Sequence, residues 1–71
     1  MKLLIFRTDI KTKKKVKTIK SLFNNNLNIL NWSIDTKDID NVLRIETKEN
    51  VNESEIIHLV KEQGFYCADL V

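Results

Sequence analysis

One cysteine, Cys67, stands in a chain of 71 residues. No intrachain disulfide can form, and a lone thiol suits a reducing compartment. No apolar run approaches the roughly 18 residues of a membrane-spanning helix. "LLIF" after Met1 and Lys2 is too short for that or for the apolar region of a secretory signal. We therefore expect a soluble, cytoplasmic protein that keeps Met1 and does not insert into membranes. Glycine is equally scarce: Gly64 is the only one. A chain of this size makes one domain, residues 1–71, and buries only about 60–65% of its unfolded surface. Hydrophobic content of 42% and charged content of 31% are those of an ordinary globular domain.

Charge is present but unevenly spread. Residues 1–20 carry eight bases against Asp9, a balance of +7, whereas residues 21–71 carry four bases against nine acids, a balance of −5. Half of all the bases lie in "DIKTKKKVKTIK", as Lys11, Lys13, Lys14, Lys15, Lys17 and Lys20. Such asymmetry bears on partners and encounter rates rather than on fold.

Hydrophobic periodicity divides the chain into six elements. "LLIFRTDI" (Leu3 to Ile10) reads as a buried strand. From Lys13 the period changes, and Val16, Ile19, Leu22 and Phe23 line one helical face. Thr12 is the expected N-cap, and Asn24, Asn25 and Asn26 end the helix, since asparagine tolerates the left-handed conformation. "ILNWSID" (Ile29 to Asp35) alternates, which places Leu30, Trp32 and Ile34 together, although which face of the sheet Trp32 takes stays open. "VLRIET" (Val42 to Thr47) alternates with Leu43 and Ile45 inward, and the pair reads as an antiparallel hairpin. In "ENVNESEIIHLVKEQG", Asn52 is the N-cap with Glu55 three residues on, as in a capping box. Ile56, Leu59, Val60 and Gln63, with Ile57 beside them, form the buried stripe, and Gly64 takes the left-handed position after the helix. "FYCADLV" closes as a short strand. The order β-α-β-β-α-β with right-handed crossovers predicts an α+β, ferredoxin-like sandwich: a four-stranded antiparallel sheet with two helices on one face.

That order at this length, "NWSID" in the second strand and "EIIHLVKEQGF" entering the last resemble the heavy-metal-associated, copper-chaperone-like domains over essentially the whole chain. The family's motif, G-M-x-C-x-x-C, maps by position onto Asp9 to Lys15. Thr12 and Lys15 then stand at the two cysteine positions, Ile10 replaces the methionine and Asp9 the glycine. A hydroxyl is a poor soft-metal ligand and an ammonium repels a cation, so the standard Cu(I) or Zn(II) site is expected to be lost, with no cofactor held. The resemblance also implies docking through this loop, and an aromatic at Phe65 that packs over Ile10 and Thr12.

The lysines have two readings: a solvated helix face, or a surface that gathers an anion, an acidic protein patch or a nucleic-acid backbone. The binding candidates are Lys11, Thr12, Lys13, Lys14, Lys15, Lys17 and Phe65. An acidic protein surface or small anion is favoured over nucleic acid, because no aromatic residue is interleaved with the lysines to stack on bases. The Lys11–Lys20 patch as a nucleic-acid binder is one alternative; residual metal handling through Cys67 is another. Cys67 otherwise reads as a small core hydrophobe, Phe65 as the first inward residue after the second helix, and His58 as exposed. Asp35, Asp38 and Asp40 read as a solvated turn rather than a hard-cation site. No nucleophile, orienting acid and oxyanion hole coincide, so an enzyme is not expected.

Overall fold

A computed structural model of the chain describes residues 1–70. Its elements are β1 (Lys2–Thr8), α1 (Lys13–Asn24), β2 (Ile29–Ile34), β3 (Leu43–Thr47), α2 (Glu53–Glu62) and β4 (Cys67–Asp69). The four strands form one antiparallel sheet in the order β2-β3-β1-β4. Both helices lie on one face, as the sequence order predicts. Their inner faces supply Ile19, Phe23, Ile56 and Val60 to a core completed by Leu4, Phe6, Ile10, Leu43, Ile45, Val51 and Cys67.

Each helix is bounded by the residues its sequence nominates. Thr12 accepts the Lys15 backbone N–H at 3.2 Å, and Asn52 accepts that of Glu55 at 3.1 Å. These bonds satisfy donors that a helix start leaves unpaired. Gly64 takes φ +88°. Around it, the Gly64 N–H bonds the Lys61 carbonyl at 2.9 Å and the Phe65 N–H reaches back to Val60 at 3.4 Å. This bond pair is the Schellman closure, which turns Phe65 onto the core beside Val60. Gln63, expected in the buried stripe, is instead the exposed C-cap. The asparagines do end α1, but through turn bonds, including Asn28 N–H to Asn26 Oδ1 at 2.9 Å. Among the described residues the left-handed asparagine is Asn41, at φ 45°.

Three strand expectations need correction. β1 stops at Thr8, not Ile10. The Thr8 hydroxyl donates to the Asn41 carbonyl at 2.7 Å and accepts the Ile10 N–H at 3.2 Å, which bends the chain away from the sheet while Ile10 stays fully buried. In β2 a bulge lies between Ile29 and Asn31, opposite Thr47 and Glu46. The extra residue is Leu30, so the alternation slips there: Ile29, Trp32 and Ile34 pack on the core and Leu30 is 52% exposed. Trp32 thus lies on the helix side, edge-on to Phe23 with ring centroids 5.5 Å apart. The closing strand begins at Cys67 rather than Phe65. Val71, read as part of that strand, lies outside the described residues.

Candidate functional site: a cationic loop and helix start

The segment from Asp9 to Lys15 joins β1 to α1, and its two ends are held differently. At the sheet end, the Asp9 carboxylate accepts the Tyr66 backbone N–H at 2.9 Å, and Ile10 is anchored in the core. At the helix end, Thr12 is extended, at φ −117° and ψ 157°, with its hydroxyl turned back onto the Lys15 N–H. The Thr12 side chain is therefore already engaged in capping. Next to it begins a helix with Lys13, Lys14 and Lys15 in its first turn and no acid there. Cations at that end oppose the helix dipole, at a cost of about 0.3–1 kcal/mol each when unscreened. α2 shows the opposite arrangement, with Glu53 and Glu55 in its first turn and Lys61 in its last.

Lys11, Lys13, Lys14, Lys17 and Lys20 are exposed and Lys15 is half-buried. The ion pairs among the described residues are Met1 with Glu49, Arg7 with Asp40 and His58 with Glu62, so none of the six lysines is paired with a carboxylate there. The lysines do not form one cluster. Lys13, Lys17 and Lys20 line a groove of about 410 Å³ between α1 and the end of β2, together with Val16, Ile34 and Thr36. Lys11, Lys14 and Lys15 do not line it. Phe65 does not line it either; it packs half-buried against the core group that contains Ile10. Two features escaped the sequence reading. The i, i+4, i+7 spacing of Lys13, Lys17 and Lys20 was visible as one helical stripe, but the apolar floor beneath it depends on where β2 ends. The Asp9 bond to Tyr66 has no local signal.

The remaining candidates are structural. Cys67 is 1% exposed, and burial above all, with the Asp69 carboxylate adding to it, pushes its thiol up to about 11. A thiol held protonated at neutral pH is a weak soft-metal ligand and nucleophile. His58 Nε2 sits 2.5 Å from Glu62 Oε1 on the exposed flank of α2. Asp35 accepts the N–H groups of Lys37 and Asp38, and Asp38 accepts that of Asp40. These carboxylates cap their own turn. Among the described residues no three of His, Cys, Asp or Glu converge as a metal site.

The whole arrangement matches solved structures. A chain of the Atx1–Cu(I)–Ccc2a complex, determined in solution, superposes on 100% of this chain and 97% of its own with a TM-score of 0.86 at 15% identity. The chain has the copper-chaperone fold. The CsoZ metallochaperone is similar as well, over 94% of this chain and 96% of its own, with a TM-score of 0.78 at 16% identity. No protein-family model matches the sequence, and no curated protein does. The fold is present here without a two-cysteine motif, since Cys67 is the only cysteine and lies in β4, paired with Thr8 rather than within the loop. A soft metal does not fit the donors at that loop, which are a capping hydroxyl and an ammonium.

Proposed function

We propose that this chain is a non-enzymatic docking module of the copper-chaperone fold. Its loop and first helix hold an acidic surface of a partner protein, and it carries no copper at that loop. The observation that carries this reading is that the six lysines of the loop and α1 have no carboxylate partner among the described residues. Unpaired like charges at a helix start lower stability, and an opposing charge on a partner relieves that cost. Lys11, Lys13, Lys14, Lys15 and Lys17 supply the charge, Thr12 fixes the turn that presents it, and Phe65 supports the loop from the core side. A complex containing Atx1, Cu(I) and Ccc2a shows one use of this fold in an assembly of proteins, which supports a protein rather than a nucleic acid as the partner. The α1 lysines also have no aromatic side chain between them for bases to stack on. Residual metal handling through Cys67 is disfavoured by the burial of its thiol. In this reading residues 1–71 act as one cytoplasmic domain.

The test is a titration with polyglutamate and with duplex DNA at low and at physiological salt. Polyglutamate is expected to bind the wild type and to lose about tenfold or more in affinity to the Lys13→Glu/Lys14→Glu/Lys15→Glu variant. No binding of polyglutamate at low salt would overturn the reading. Tighter binding of DNA with a steep salt dependence would replace it with the nucleic-acid alternative.

A further inference from the structure

We propose that the partner contributes an extended, glutamate-bearing segment that adds antiparallel to the free edge of β2 as a fifth strand. Its alternate side chains would lie under α1 against Lys13, Lys17 and Lys20. The inference rests on the acidic-partner reading and specifies how that partner is held.

Three observations converge on this groove. β2 is an outer strand of the sheet, with β3 on one side and no strand on the other. Its ladder to β3 uses the Asp35 N–H, bonded to the Val42 carbonyl at 2.9 Å. Backbone groups alternate along a strand, so those of Ile34 and Trp32 turn toward the free edge. The Trp32 N–H is covered in the free chain by the Oδ1 of Asn31 at 2.9 Å, a local shield of the kind that keeps edges from pairing indiscriminately. An incoming carbonyl would replace it. Strand addition of this type draws affinity from main-chain bonds and specificity from alternate side chains.

The second observation is the row of cations. Residues 13, 17 and 20 fall within an arc of about 60° on a helix and span about 10 Å along its axis. The first step, Lys13 to Lys17, is about 6 Å, close to the roughly 6.6–6.8 Å between alternate residues of a strand. Residues set opposite Ile34 and Trp32 would point to the helix face, because cross-strand neighbours share a face. Two glutamates at alternate positions therefore meet the row in register.

The third observation is the floor. Val16 and Ile34 line the same groove of about 410 Å³. A glutamate lays its methylene stem over such a floor while its carboxylate reaches the ammoniums. A bare phosphate has no stem to do so, and aspartate has a shorter one.

The test uses a synthetic peptide of alternating glutamate and threonine, long enough to span β2, with the fluorescence of Trp32, the only tryptophan, as readout. Two derivatives of equal charge separate backbone pairing from electrostatics. N-methylation at the glutamates removes the N–H groups that face β2, and is expected to weaken binding by about tenfold or more. N-methylation at the threonines blocks the outer edge and is expected to leave binding unchanged. Lys17→Glu should weaken the parent peptide by about tenfold, and Lys61→Glu, on α2 and off the groove, by no more than about twofold. Equal binding of the two methylated peptides would overturn strand addition and leave charge-based docking standing. Binding of polyglutamate without binding of the alternating peptide would do the same. Failure of both anions at low salt would remove the acidic-partner reading as well.

Discussion

The carboxylate of Asp9 and the backbone N–H of Tyr66 are 2.9 Å apart, a contact between residues 57 positions distant in sequence. It ties the loop before α1 to the start of β4. β4 is a short outer strand that pairs with β1 through three registered positions, so a bond just before it limits fraying at that edge.

Asp9→Ala should destabilise the chain by about 1 kcal/mol, the usual net worth of such a hydrogen bond at a partly exposed site. Asp9→Asn keeps an acceptor oxygen and should lose less. Chemical denaturation with a common m-value measures both. An alanine variant as stable as the wild type would show that the bond does not hold β4.

The helix start gives a prediction of opposite sign at neighbouring residues. Thr12→Ala removes the cap on the Lys15 N–H and should cost about 1 kcal/mol. Replacing Lys13, Lys14 and Lys15 together with alanine should leave stability level or raise it by up to about 1 kcal/mol. That change relieves the dipole clash and improves helix propensity. The gain should shrink as salt is added. A large loss on removing the lysines would mean that they hold the fold rather than present a surface.

Cys67 predicts a pH dependence. Burial raises its thiol from about 9 to about 11 in the folded chain. Below the unfolded value both states keep the proton, so the thiol adds no pH dependence there. As pH rises from about 9 to about 11 the unfolded chain ionises first, and the stability associated with the protonated thiol is progressively lost. Subtracting the profile of Cys67→Ala from that of the wild type isolates the contribution of the thiol. The difference should slope downward only across this interval; a flat difference would show that the thiol is not desolvated.

How much of this was legible in sequence depended on range. α2 could be bounded from Asn52 and Gly64 because caps act within a few residues, and β3 from Leu43 and Ile45 because its alternation is unbroken. Leu30 misled because a bulge is set by pairing with Glu46 and Thr47, which no pattern within β2 encodes. Ile10 misled in a different way: it is as buried as a strand residue, but a Thr8 hydroxyl bond across to Asn41 had already ended the strand. At the candidate site, the charge and the missing cysteines were readable from composition and spacing. The groove was not, since it depends on β2 ending beneath the lysine row of α1.

Restoring the two thiols tests whether only the ligands have been lost. Thr12→Cys gives up a cap worth about 1 kcal/mol, while Lys15→Cys removes a cation that opposes the dipole by about 0.3–1 kcal/mol. The two nearly offset, so the double variant should fold. Lys11, Lys13, Lys14 and the helix start would then favour the thiolates, the form that binds soft metal. Under reducing conditions the variant is expected to take up Cu(I) at one ion per chain, with Cys67→Ser in the same background making no difference. The wild type is expected to show no tight Cu(I) binding. A folded double variant that ignores copper would show that the loop geometry has diverged along with its residues. Tight one-to-one binding by the wild type that survives Cys67→Ser would overturn the assignment of this loop as metal-incompetent.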